Sequence, residues 1–262
     1  AAIEASARET RKTLQLLDQI PLAELSRSDQ LNYRLFKQQC ENRIADHELQ
    51  LHFMPLNQRG GIQDQSTLAD SLRFDSLQDY EDWLARLQAF PVYMDQTIAL
   101  MRRGIETKML HPKVVMKRVP SQIRQQIVER PEDSLYFAPF KKFQTELSDA
   151  DKERLRKEAA KVIGNQIIPK YRLFLDFFEK EYLAESFDEV GCWQRPDGHA
   201  MYARLAKKFT TTNLTPQQIH NIGQSEVARI RAEMQEIQKQ VKFKGSFQEF
   251  LVHLRTDRQF YY

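Results

Sequence analysis

The sequence predicts an all-helical protein, a multi-helix array of about ten helices. Three observations carry that expectation. Glycine is scarce, with 8 in 262 residues, roughly 3% against a usual share of about 7%. β-sandwiches and barrels need frequent glycine-rich turns, so they are disfavoured. Apolar residues recur at three- and four-residue steps along most of the chain, the helical period. Helix-start signals, a Ser or Thr followed three residues later by an acid or glutamine, also recur in register with those patterns.

The clearest element is 215–241. Ile219, Ile222, Ile230, Met234, Ile237 and Val241 share one face. Thr215-Pro216-Gln217-Gln218 opens it with a cap, a first-turn proline and a capping-box glutamine. The same punctuation stands at Ser76 with Asp79, Ser148 with Asp151, Ser186 with Glu189 and Ser246 with Glu249. From these signals helices are expected near 2–18, 28–51, 76–89, 91–106, 112–129 with a break at Pro120, 150–168, 169–184, 198–209, 215–241 and 246–255. Pro91 and Pro169 are expected to break or kink their runs, since proline lacks the N–H and crowds the preceding turn. Loops are expected at 55–66, 130–139 and 190–198, the first being the candidate for a mobile loop around Gly60-Gly61. Residues 1–262 read as a single helical region, with a point of subdivision near 130–148. The scattered glutamines read as helix surface.

Composition bounds function. The chain is 41% hydrophobic and 29% charged, with 39 basic and 36 acidic residues and a net charge of +3. That balance argues against a nucleic-acid partner. No stretch approaches the roughly 18 apolar residues of a membrane span. Cys40 and Cys192 are far apart, and the sequence leaves their pairing open.

Catalytic motifs are absent in their known forms. His47 and His52 flank Glu48, but on one helix a spacing of five sets the rings about 140° apart, so the zincin arrangement fails. No metal is assigned within this chain. Gly223-Gln224-Ser225-Glu226-Val227 lacks the second glycine of a nucleophile elbow and lies in a helix. One constellation stands out. Glu226 falls four residues after Ile222 and four before Ile230, a carboxylate on an apolar stripe. Arg229 and Glu233 follow at pairing distance, and His220 and Gly223 lie just upstream. The group reads either as a buried ion pair that fixes helix packing or as a polar wall of a substrate cleft. Gly223 would then allow a close backbone approach.

The run Tyr202, Thr210-Thr211-Thr212-Asn213-Leu214-Thr215-Pro216, Ile219-His220, Gly223, Glu226-Val227-Ala228-Arg229-Ile230 and Glu233-Met234 resembles the bacterial family known as domain of unknown function 885. Tyr80, Trp83-Leu84, Arg86-Leu87, Pro91, Tyr93, Gln96 and Met101-Arg102-Arg103-Gly104-Ile105 agree with it. So do Pro139-Phe140, Pro169, Tyr171, Glu181-Tyr182, Gly191, Pro196-Asp197-Gly198 and Leu254-Arg255-Thr256-Asp257. The resemblance spans nearly the whole chain and implies a fold akin to helical zinc peptidases. Members usually carry a downstream His-Glu-x-x-Pro-Gly-His segment, which this chain lacks. The resemblance therefore implies an N-terminal portion of a zinc-metallopeptidase-like protein, inactive alone, with the zinc and a peptide-like substrate belonging to the full-length protein and its missing C-terminal half. Tyr202, His220, Glu226 and Arg229 are the substrate-cleft candidates, and no catalytic residue or metal ligand carries over. A homodimer through an exposed apolar surface and a bacterial envelope or periplasmic location are further expectations. The alternative is a helical binding or scaffold module without enzymatic activity.

Overall fold

The structure is a computed structural model and describes residues 2–261. It is 75% helical with no strands among the described residues. The chain packs as two compact units, one ending at Gly198 and one beginning at His199.

The first unit opens with an antiparallel hairpin of helices Ala2–Leu17 and Arg27–Glu48. Ser26 caps the second by accepting from the Asp29 N–H. Salt bridges from Lys37 to Asp18 at 2.6 Å and from Arg11 to Glu48 at 3.2 Å line their seam.

Helix Leu77–Glu106 is the backbone of the core. A complete capping box of Ser76 and Asp79 starts it, and it runs through Pro91 without ending. A proline inside a helix costs about 3 kcal/mol. Here Tyr80, Trp83, Leu84, Leu87, Phe90, Met94 and Met101 are all buried on one face, and each such side chain returns about 1.5–3 kcal/mol. Tertiary packing outweighs the local penalty. Near the far end Gly104 lets the Phe53 backbone approach, since a Cβ there would stand 2.7 Å from the Phe53 carbonyl oxygen.

Pro169 does not break its run either. Residues 149–185 form one continuous rod, in which two π-helical turns, Ile163–Ile167 and Phe178–Tyr182, interrupt the α-helix. The innermost residues explain this. Leu155, Ala159, Ile163, Ile167, Tyr171, Phe174, Phe178 and Tyr182 are wholly buried, and they come in steps of four with a single step of three. At 3.6 residues per turn, a stripe of fours drifts about 40° per step. The wider π turns bring it back to one face. The first of them directly precedes Pro169, where a missing N–H is easiest to absorb.

The expected helix 112–129 is two short ones, Lys113–Met116 and Val119–Gln125, with Pro120 in the first turn of the second. Ser186 opens no helix; its hydroxyl donates to the Tyr182 carbonyl, and it ends the rod instead. Segment 55–66 is tied into the core. The Gln63 amide donates to the Asn57 carbonyl at 2.7 Å, Gln122 to Gln58 at 2.9 Å and Gln126 to Gln63 at 3.1 Å. Gln63 and Gln126 are buried, so these glutamines are interior pins and not helix surface. Tyr136, Phe137 and Phe140, from the expected loop 130–139 and just after it, are buried as well.

The second unit holds helices Pro216–Gln240 and Phe247–Thr256, each opened by a complete capping box, Thr215 with Gln218 and Ser246 with Glu249. Helix Gly198–Thr210 leads into them.

Candidate functional site

Three groups of side chains are candidates. The first is the one singled out in the sequence. On helix Pro216–Gln240 the Arg229 guanidinium forks between two carboxylates. Its Nε and Nη2 donate to Glu226 Oε2 at 2.9 and 2.7 Å, and Nη1 donates to Glu233 Oε1 at 2.7 Å. These bonds, that to Glu226 foremost, hold the Arg229 pKa above its ordinary value. The group is not a buried ion pair: Arg229, Glu226 and Glu233 are 53%, 50% and 61% exposed. No residue of this helix is buried, and Ile222, Ile230, Ile237 and Val241 are about half exposed. Among the described residues no hydrogen bond joins His220 or Tyr202 to this group; both are exposed. Nothing approaches Gly223, since a Cβ there would meet no atom within 4 Å. Gly223→Ala should therefore raise the stability of the isolated chain by up to about 1 kcal/mol, the helix propensity difference, read as a higher urea midpoint for loss of helical circular dichroism.

The second group is a histidine pair. The 140° separation holds only for one helix through both rings, and the helix ends at Glu48. Gln50 takes a left-handed conformation (φ 55°) and a 3₁₀ turn, Leu51–Phe53, folds back. The rings of His47 and His52 then stack with centroids 5.2 Å apart and planes at 17°. His47 Nε2 meets Glu4 Oε1 at 3.0 Å, and this bond holds the Glu4 pKa down. Burial, followed by the neighbouring His47, pushes the His52 pKa down. Both Nδ1 atoms are buried without a partner.

The third group is a half-buried basic corner that the sequence reading missed. Arg195 Nε donates to the Leu110 carbonyl at 2.7 Å, and its Nη2 lies 3.4 Å from His111 Nδ1. Burial, then the Arg195 charge, pushes the His111 pKa down to about 4. The Tyr182 hydroxyl approaches the His111 backbone without completing a hydrogen bond, and burial pushes its pKa up to about 12. Cys192 donates to the Gly198 carbonyl at 3.4 Å. Cys40 and Cys192 are both free thiols.

The first unit also holds a cavity of about 250 Å³ between helix Leu77–Glu106 and the 130s segment. Its walls are Trp83, Phe90, Tyr93, Tyr136 and Leu68, with Arg86 also on the lining. The wall is fixed from behind. The Trp83 indole donates to the Tyr136 carbonyl at 3.1 Å, the Tyr136 and Tyr171 hydroxyls bond at 2.7 Å, and the Tyr171 hydroxyl donates to the Ile62 carbonyl at 2.8 Å. Burial pushes both tyrosine pKa values up, so both stay neutral.

These features define an all-helical protein with an aromatic core and polar groups displayed on open helix faces. The chain belongs to the family described as bacterial protein of unknown function (DUF885), whose model matches residues 1–262. No curated protein matches it. Among solved structures, a candidate lipoprotein from Colwellia psychrerythraea shares the fold, with a TM-score of 0.77 and 20% identity. The match covers 98% of this chain and 46% of that one, so the chain spans about half the length of this structural relative. No helix of the described residues is long and apolar enough to cross a membrane.

Proposed function

We propose that this chain is the N-terminal helical portion of a zinc-metallopeptidase-like protein, that it supplies part of a substrate-cleft wall, and that it is inactive alone. The observation that carries this reading is helix Pro216–Gln240. Seven turns long and fully capped, it buries none of its residues, yet it carries an apolar row beside the Arg229 fork. Such a face is an incomplete interface. The fold match to a chain about twice as long supports further polypeptide as its cover. In this reading Glu226 and Arg229, with His220 and Tyr202, line the cleft once that polypeptide is in place. The candidate-lipoprotein description of the structural relative favours an envelope location.

The zinc implied by the family resemblance finds no ligand set here. Among the described residues no group of three or more His, Cys, Asp or Glu side chains is placed to hold a metal ion, so these residues do not fit the ion by themselves. What the chain contributes is positioning. Arg229 commits three of its five N–H donors to Glu226 and Glu233, and in this reading the remaining two are offered to a peptide carbonyl.

The test is to add zinc and a panel of short peptides to the purified chain. No turnover is expected, and metal-dependent hydrolysis above background would overturn the claim of inactivity. Light scattering then tests the homodimer expectation. A monomer counts against the homodimer, whereas a dimer that Ile230→Glu dissociates assigns the open face to a second copy.

A further inference from the structure

We infer that the aromatic cavity of the first unit binds a small monocarboxylate with an aromatic or branched apolar body, about the size of one large side chain. The inference is independent of the peptidase reading. Three observations carry it. First, the cavity has the right chemistry for an apolar body: Trp83, Phe90, Tyr93 and Tyr136 surround it, and its volume of about 250 Å³ lies just under the range of about 300–1,000 Å³ typical of drug-sized ligands. Second, the walls are preorganised. Tyr136 is locked at its carbonyl by Trp83 and at its hydroxyl by Tyr171, and its ring lies 5.4 Å from Phe90 and 6.3 Å from Trp83. A ligand entering there need not order them.

Third, the charge is one-sided. Among the described residues Arg86 is the one ionisable group of net charge on the lining, and no hydrogen bond, ion pair or ring contact engages its side chain. Other cations of this unit are paired, as Arg102 is with Glu181, Lys108 with Glu185 and Lys170 with Asp95. Asp64 is felt by Tyr136 and Tyr171 but does not line the cavity. An unpaired guanidinium beside an aromatic hollow matches a planar carboxylate on an apolar body, which it can grip with two parallel N–H donors. The neutral tyrosine hydroxyls, engaged with each other, add no competing charge.

The experiment is calorimetric titration of the full chain with 3-phenylpropionate, its amide 3-phenylpropanamide and the amine phenethylammonium. Saturable binding of the acid is expected, with the amide at least tenfold weaker and the amine weaker still. Arg86→Gln should weaken the acid at least tenfold and leave the amide unchanged. Ala89→Phe, at an exposed lining position, should block all three, with unchanged circular dichroism showing that the fold survives. A dipeptide ending in phenylalanine distinguishes the sources of this chemistry: tighter binding than the free acid assigns the site to peptide C-termini, and equal or weaker binding assigns it to free acids. Equal affinity for acid, amide and amine, no saturation by the acid at about 10 mM, or indifference to Arg86→Gln would overturn the proposal.

Discussion

Tyr171→Ala is expected to destabilise the first unit by about 3–5 kcal/mol, the range for deleting a large aromatic from a packed core. Tyr171 is wholly buried, packs against Phe90 and Tyr136, and bridges two distant segments with its hydroxyl. Truncation opens a void and strands the Ile62 carbonyl and the Tyr136 hydroxyl. Tyr171→Phe separates the two effects. It keeps the ring and removes only the bridge, and should cost about 1–3 kcal/mol. Urea unfolding followed by circular dichroism reads both. Equal losses would show that the hydroxyl bridge, and not the ring, holds segment 55–66 in place.

The second large effect is on pH dependence. His111 has a folded-state pKa of about 4, below the ordinary value near 6.5. The unfolded chain therefore takes up a proton near pH 6.5 that the folded chain resists until about pH 4. The stabilisation is fully present above pH 6.5 and is lost as pH falls through that window, by about 2 kcal/mol at pH 5. His52 is shifted in the same direction and adds to the slope. Denaturant midpoints between pH 7 and 5 should fall for the native chain and fall less for His111→Gln. Identical slopes would remove His111 as the source.

Much of the fold was legible in the sequence because helix caps are local. Ser76, Ser148, Thr215 and Ser246 each accept from the backbone N–H three residues on, and that pattern is fixed by residue type and spacing. Pro91 and Pro169 lie inside continuous helix, against the local rule, for the opposite reason. The penalty of a proline is local, while the packing that overrides it comes from residues far along the chain. The glutamine pins on segment 55–66 were hidden for the same cause: Gln63 bonds across 59 and 63 residues to Gln122 and Gln126. In the candidate site, the Arg229 pairing was readable from i,i+3 and i,i+4 spacing, but its exposure was not, because amphipathic pattern shows which face is apolar and not what covers it. The corner of His111 and Arg195 joins residues 84 apart and left no signal in spacing at all.

The two π turns of the 149–185 rod bear on how this region tolerates insertions and deletions. A π turn holds one residue more than an α turn needs. Removing a single residue from Ile163–Ile167 would let the backbone close as ordinary α-helix with every hydrogen bond intact. Residues downstream would then keep nearly the same facing, whereas removing one residue from the regular α stretch Asp149–Val162 would rotate everything after it by about 100°, swinging Tyr171, Phe174 and Phe178 off the core. Single-residue length variation within the rod should therefore collect at these ten residues, Ile163–Ile167 and Phe178–Tyr182, and avoid its α-helical stretches.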